Sequence, residues 1–271
     1  MFLAIRSIRI RYVTKRRFAF GKNWLSYTKR SLNGPRLTKA VEAFERLFAG
    51  IELKGRSFLD VGFGQGLTTA IAASKGCKVM AIDIDPDNIK ALQTTAEALG
   101  LDPSLIQVQV ASILDESLVA RYQDHFDIVH SWGVLHHTGQ METAIANTCR
   151  MVRRGGYLII AIYNRHWSSP FWKGVKYTYN ICPGPIQRLM VLVFYPIVYT
   201  AKWLVTGKDP KLKDRGMDFY HDLVDWVGGY PYEYASIDQV RQMVEPYGFT
   251  AVRIRPAGVP TGCNEFIFRR G

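Results

Sequence analysis

The sequence predicts an α/β chain: a parallel sheet with helices packed on both of its faces. Three observations predict it. Apolar runs of strand length recur at 58–61, 79–82, 105–110, 126–129 and 157–162, with amphipathic stretches between them, and such alternation is what crossover-connected parallel strands require. The first run ends in glycines at alternate positions, Gly62, Gly64 and Gly66, and the second ends in an acid, Asp83. The chain is 271 residues long and 48% apolar, without internal repeats, which suffices for one substantial core plus an insertion.

Each element has its own signal. Residues 37–49 read as a helix leading into the first strand. That strand meets the glycine turn, and the amphipathic stretch 67–75 follows, so the order is strand, tight turn and the first turn of a helix. After the second strand, Asp85 as N-cap and Pro86 at the first helical position open a helix that runs to Leu99. Residues 105–110 form the third strand, 126–129 the fourth, and 141–152 an amphipathic helix before the turn at Gly155-Gly156. The fifth strand leads into an aromatic-rich segment, 163–235. A closing helix (236–248) and strands near 249–255 and 263–269, joined by Pro260-Thr261-Gly262 with Asn264 at the edge, end the sequence. The expected organisation is a basic N-terminal arm or cap (1–36), a core (37–164), an insertion (165–235) and a C-terminal helix and strand pair (236–271).

The glycine turn and Asp83 belong together. Glycines stand where a Cβ would forbid positive φ or hold the backbone away from a ligand. About seventeen residues beyond Gly66, an acid at the tip of the second strand of a βαβ unit can accept hydrogen bonds from ribose hydroxyls. The pair implies a nucleoside cofactor. The dinucleotide pattern G-x-G-x-x-G fails, because the third glycine comes one residue early and Leu67 stands in its place; no phosphate-binding G-x-x-x-x-G-K-[ST] loop exists. In an open α/β sheet, ligands bind outside the carboxyl ends of the strands. The loops after Val61, Ile82, Val110, Val129 and Ile162 should therefore surround one cleft.

The run Asp60-Val61-Gly62-Phe63-Gly64-Gln65-Gly66 resembles motif I of the class I S-adenosylmethionine (SAM) methyltransferases. Residues 126–137, ending Val134-Leu135-His136-His137, look like that family's fourth strand and following loop, and residues 153–161 look like the entry to its fifth strand. The resemblance covers 57–164 closely and 236–270 more loosely. It implies a Rossmann-like, doubly wound, mostly parallel seven-stranded sheet, with the aromatic insertion between the fifth strand and the last helix. It also implies SAM as cofactor and S-adenosylhomocysteine as product. Asp60, Gly62, Phe63, Gly64 and Gly66 would shape the methionine side, Asp83 would hold the ribose, and Ile84 would lie beside it. Where the family often has an acid for the adenine amino group, this chain has Ser112, so Ser112 and Ile113 are the expected adenine contacts. Ser131 and Trp132 follow in the fourth strand, and Trp132 either stacks on adenine or faces the core.

For the chemistry, positioning an acceptor in line with an electrophilic methyl group supplies most of the rate, and a base is needed only for a weakly acidic hydroxyl or a protonated amine. His137 is the preferred general base and His136 the second candidate, since only one of two adjacent residues points inward. Tyr163, His166 and His221 could also reach the site, while His125 and His130 read as structural. Asn164, Trp167, Tyr220, Trp226 and Tyr230 are the expected acceptor contacts. Asp83, Asp85 and Asp87 alternate, but the glycine and closing glutamate of a calcium loop are missing, so no metal is expected. Cys77, Cys149, Cys182 and Cys263 are scattered without metal-ligand spacing. They read as buried apolar side chains of a protein in a reducing, cytoplasmic compartment.

The formal charge is +12, yet residues 1–36 hold ten basic residues and no acid, and the other 25 Lys and Arg nearly balance all 23 acids. Aromatics interleave that basic arm as far as Tyr27. It reads as a helical cap over the cofactor cleft, as a segment touching anionic lipid or RNA phosphates, or as a transit peptide. Residues 189–201 carry no charge between Arg188 and Lys202; the run is too short to span a bilayer and contains Pro196. It reads as a buried helix or interface, or as contact with a membrane surface or a long apolar substrate, which leaves a membrane-associated location open. The favoured function is methyl transfer to a small molecule, at oxygen, similar to the quinone-biosynthesis branch of the family. RNA methylation and a non-catalytic SAM-binding partner subunit are the alternatives. Against nucleic acid, residues 37–271 have almost no excess positive charge and no separate RNA-binding module.

Overall fold

A computed structural model describes residues 18–30, 32–211 and 219–271. Residues 1–17, with six of the ten basic residues of the arm, lie outside the described residues, as do 31 and 212–218. Seven strands form one sheet: β1 (Ser57–Val61), β2 (Lys78–Asp83), β3 (Ile106–Val110), β4 (Phe126–Trp132), β5 (Val152–Tyr163), β6 (Phe249–Arg255) and β7 (Cys263–Arg270). Their order is β3-β2-β1-β4-β5-β7-β6; β1 to β5 run parallel, and β7 is antiparallel to both β5 and β6. This is the mostly parallel, doubly wound sheet that the sequence implied. Strand order reverses between β1 and β4, which opens a crevice at their carboxyl ends.

Apolar side chains on both sides of the central strands create two cores. On one face, α2 (Gly34–Leu47), α3 (Leu67–Ser74) and α4 (Asp87–Ala98) pack Phe44, Ile71 and Leu92 against Phe58, Val79 and Ile128. On the other, α5 (Glu116–Arg121), α6 (Met141–Met151) and α10 (Ile237–Val244) pack Leu118, Ile145 and Val240 against Leu59, Val129 and Phe266.

Three boundaries differ from expectation. The helix expected from residue 37 begins at Gly34, because Asn33 caps it by accepting a hydrogen bond from the Arg36 N–H (3.2 Å) and Pro35 follows at the start. Helix α4 begins at Asp87 with Pro86 at the N-cap; Asp85, one residue further out, still accepts from the Asp87 N–H (3.0 Å). The Arg153–Gly156 stretch expected as a turn lies inside β5, where the register with β4 shifts between Phe126 and Ile128.

The insertion leaves the sheet at Asn164 and returns at Ala235, which bridge one another. Between them lie α7 (Ser169–Ile181), α8 (Gly184–Thr206) and α9 (Phe219–Gly228). They share a third apolar cluster, with Tyr179, Val191, Val198, Phe219 and Leu223 at its centre and Phe18 packed against it. Helix α1 (Phe20–Arg30) lies across the mouth of the crevice, between α4 and α9.

Candidate functional site

Strand β1 delivers its chain end into the crevice through a turn that only glycine permits. Gly66 sits at φ +78, and a Cβ there would meet the Leu92 side chain of α4 at 2.2 Å. The turn therefore lies close against α4, and three of its N–H groups are engaged, those of Gly62 and Gly66 with Ile82 O (2.7 Å) and Phe63 O (2.8 Å). The third, on Gly64, donates to Asp83 Oδ2 (3.1 Å), and the Asp85 N–H donates to Asp83 Oδ1 (2.9 Å). Those two N–H groups, with the Asn88 side chain as a third donor, fix the orientation of the carboxylate in the crevice wall. Burial raises the Asp83 carboxyl above the usual range, partly offset by those two N–H groups and by Asn88. Under the turn, Asp60 accepts from the Thr69 hydroxyl (2.5 Å) and lies 2.8 Å from His130 Nδ1, all buried.

One cavity of about 650 Å³ runs from this turn to the insertion. Of the residues singled out as site candidates from sequence, Asp60, Gly62, Phe63, Gly64, Asp83, Ile84, Ser112, Ile113, Trp132, His137, Tyr163, His166, Trp226 and Tyr230 line it. The others lie elsewhere, each for a visible reason. Gly66 is spent on the turn. Ser131 donates to Val61 O (3.0 Å) within the sheet. His136 is fully buried behind Tyr163, where its Nδ1 accepts the Tyr163 N–H (3.3 Å); burial, with the ionisable His137 and Lys176 nearby, holds it well below the usual histidine range. His221 faces α1, with Nε2 3.3 Å from Ser26 Oγ. Asn164 ties the neck of the insertion by donating to Pro260 O (3.1 Å) and accepting from Asn264 (3.1 Å). Trp167 is 85% exposed, and Tyr220 lies on the outer side of α9.

His137 is held differently from its neighbour. Its Nδ1 lies 2.6 Å from Pro231 O. A carbonyl oxygen can only accept, so the proton is on Nδ1 and the lone pair of the neutral ring is on Nε2. The ring packs on Phe20 and Tyr163, at 5.1 and 5.5 Å between centroids.

Several cavity residues escaped the sequence reading. Gln65 Oε1 and Asn88 Oδ1 are buried, belong to lining residues and meet no hydrogen-bond partner among the described residues. Asp225 lines the cavity and accepts from Asn23 (2.7 Å), and burial pushes its carboxyl well above the usual range. Lys176 is wholly buried just behind this wall. Its Nζ lies 4.7 to 5.5 Å from the ring centroids of Tyr232, Trp226 and Tyr163, donates to Trp226 O, and is pushed down to about 7 by burial. Phe18, Phe20 and Trp24 bring α1 onto the same cavity. Among the described residues, no three His, Cys, Asp or Glu side chains converge as a metal site would need.

Residues 59–160 match the methyltransferase-domain family. This stretch is a class I SAM-dependent methyltransferase domain. Outside the domain the likeness thins. A ubiquinone biosynthesis O-methyltransferase of Rhizobium johnstonii is 33% identical over 128 residues, 47% of this chain and 49% of that protein. Its counterpart in Coxiella burnetii is 28% identical over 135 residues, 49% and 55% of the two chains. The chain spans about half the length of the curated relatives it matches. Among solved structures, magnesium protoporphyrin IX methyltransferase from Synechocystis with bound S-adenosylhomocysteine superposes with a TM-score of 0.57 at 13% identity, covering 93% of this chain and 95% of that one. At that identity the likeness is one of fold. The matched domain therefore supplies the glycine turn, Asp83 and His137, whereas α1, α7 to α9 and the loop before β7, all outside it, supply other walls of the cavity.

Proposed function

We propose that the protein transfers the methyl group of SAM to a hydroxyl of a small-molecule acceptor, with His137 as general base. The observation that carries the reading is the continuity of the cavity. One space joins the Gly62–Gly66 turn and the aimed carboxylate of Asp83 to His137, Tyr163 and the insertion. The lining fits SAM: the Asp83 carboxylate would accept from ribose hydroxyls, Ile84, Ser112 and Ile113 would flank adenine, and the buried Gln65 and Asn88 oxygens would accept from its donors. When bound, SAM supplies a sulfonium-activated methyl electrophile.

The chain's own work is to orient the acceptor, exclude water and take a proton. Trp172, Trp226, Tyr230 and Tyr163 offer flat apolar walls for a ring-bearing acceptor. His137 Nε2, with its tautomer set by Pro231 O, can accept the hydroxyl proton as the oxygen becomes nucleophilic. Tyr163 keeps its own proton, because burial raises it well above the usual phenol range, and can serve only as a donor or a wall. The O-methyltransferase names of the relatives support oxygen as the acceptor atom.

Titration calorimetry with SAM, S-adenosylhomocysteine and NAD tests the cofactor half. The first two should bind with micromolar affinity and NAD should not. Asp83→Ala should weaken SAM binding by about 100-fold, the worth of two charge-assisted hydrogen bonds. Equal affinity in the variant would remove Asp83 from the cofactor site.

A further inference from the structure

Helix α8 is apolar on both faces. Its inner face, with Val191 and Val198 buried and Phe194, Tyr195 and Tyr199 beside them, packs on Phe219, Leu223 and Val227 of α9. Lys202 fastens the same side by donating to Asp222 Oδ2 (3.0 Å). Its outer face leaves Ile186, Leu189, Leu192, Val193, Ile197 and Leu204 exposed. Residues 186, 189, 193, 197 and 204 recur at helical spacing, so they form one stripe along the axis. A monomeric soluble surface seldom carries a continuous stripe of this kind without a partner.

Two further observations say what the partner is. Residues 165–208 contain no Asp or Glu and carry Arg165, Lys173, Lys176, Arg188, Lys202 and Lys208. Lys176 and Lys202 are engaged internally, whereas Arg188, exposed near the start of α8, and Lys208, exposed just beyond its end, carry positive charge at the two ends of the helix. The first acid beyond, Asp209, is tied to the Tyr199 hydroxyl (3.1 Å). An apolar stripe on a segment that carries cations and no acid complements an anionic lipid surface, where the stripe enters the acyl boundary and cations reach the headgroups. The second observation is position. Ile197 and Val205 are 52% and 57% exposed and also line the cavity, so the outer face continues into the cavity rim.

We propose that the outer face of α8 seats on an anionic bilayer, with the helix lying in the plane of the interface and the cavity rim turned toward the lipid. At 23 residues α8 has the length to cross a bilayer. Crossing would strip Val191, Val198 and Lys202 from α9, whereas lying flat keeps the inner face packed. This surface does not depend on the identity of the acceptor.

The test is flotation of the purified full chain with vesicles of pure phosphatidylcholine and of phosphatidylcholine mixed with phosphatidylglycerol. Binding should require phosphatidylglycerol and weaken with salt. The triple variant Leu189→Asp, Val193→Asp and Leu204→Asp should lose at least about tenfold in vesicle affinity, while SAM titration and thermal unfolding stay as in the parent. Should that variant misfold, brominated lipid in the same vesicles tests the parent chain directly. Trp203, half-exposed on α8, should be quenched, and Trp203→Phe should reduce the effect. Absence of binding to anionic vesicles overturns the proposal. So does a dimer in light scattering that the triple variant dissociates, which would assign the face to a second copy of the chain. Vesicle binding without SAM binding would keep this proposal and sink the cofactor reading instead.

Discussion

At the scale of the residue, His137 and Lys176 show how neighbours far along the chain decide what a side chain can do. The Pro231 carbonyl, brought in by the insertion, fixes the His137 tautomer. Replacing His137 with Ala removes a base without touching the glycine turn. Turnover should fall by about 10²–10⁴, the usual worth of a general base, while SAM affinity measured by calorimetry stays the same. A loss of SAM affinity with kcat intact would reverse the assignment. Lys176 makes a pH prediction. Its pKa falls from 10.5 to about 7 in the folded chain. Below pH 7 both states carry the proton, and the fold bears the whole cost of burying the charge. Between 7 and 10.5 the folded chain sheds a proton that the unfolded chain retains, so stability rises with pH across that window, by at most about 1.4 kcal/mol per unit. Lys176→Met lacks this slope. Denaturant unfolding at pH 6 and pH 9 should therefore show the parent gaining on the variant as pH rises, and parallel behaviour would mean that Lys176 is not buried as described. Asp83 was legible in the sequence because an apolar run ending in an acid is a local signal. Lys176 was not, because a lysine in an apolar helix ordinarily reaches solvent, and the rings that enclose it belong to β5, α9 and the chain after α9.

At the scale of the element, α1 is the part whose placement the sequence left open. Composition gave it a basic face and aromatics but no partner. In the fold it bridges two bodies: the Gly21 N–H donates to Asp85 Oδ2 (3.0 Å) on the cofactor side, and Asn23 Nδ2 donates to His221 O (3.0 Å) and Asp225 (2.7 Å) on the insertion side. A Cβ on Gly21 would lie 2.4 Å from the Asp85 carboxylate, so any larger residue there must push that side chain aside. Gly21→Val tests the bridge cleanly, because a residue other than glycine does not weaken a helix at this position. SAM affinity should drop on the order of tenfold, the loss of one charge-assisted hydrogen bond and its neighbours, with little change in global unfolding. An unchanged affinity would show that α1 takes no part in retaining the cofactor. The core strands were readable because each is a local run of buried residues. The start of α2 was missed because its capping signal, Asn33-Gly34-Pro35, precedes the apolar pattern rather than interrupting it.

At the scale of the whole molecule, the cavity is divided between two structures that are stabilised separately. The sheet buries its two faces against α2, α3 and α4 and against α5, α6 and α10, and none of the residues at the centre of those clusters comes from α7, α8 or α9. The insertion closes its own cluster with Tyr179, Val191, Val198, Phe219, Leu223 and Val227. Its two ends meet at a narrow neck, where Asn164 and Ala235 are bridge partners, the Arg165 N–H donates to Ala235 O (3.1 Å) and the Ala235 N–H donates to Tyr163 O (3.0 Å), and residues 231–233 add bonds to His136, His137 and Met141. Loop closure across so short a gap costs little, since closure entropy grows only slowly with length. Replacing residues 166–234 with a short Gly-Ser linker should therefore leave a sheet domain that unfolds cooperatively, as followed by circular dichroism. That domain should still bind SAM, because the glycine turn, Asp83, Ser112 and Ile113 are all retained. Binding should be weaker than in the parent, because α1 loses Asp225, His221 and the Tyr230 carbonyl that accepts the Phe18 N–H. Methyl transfer should vanish with any acceptor, since Trp172, Trp226, Tyr230 and Pro231, which orients His137, all leave with the insertion. A truncated chain that fails to fold would mean that the third cluster supports the sheet after all. One that folds and still turns over an acceptor would move the acceptor site onto the sheet domain alone.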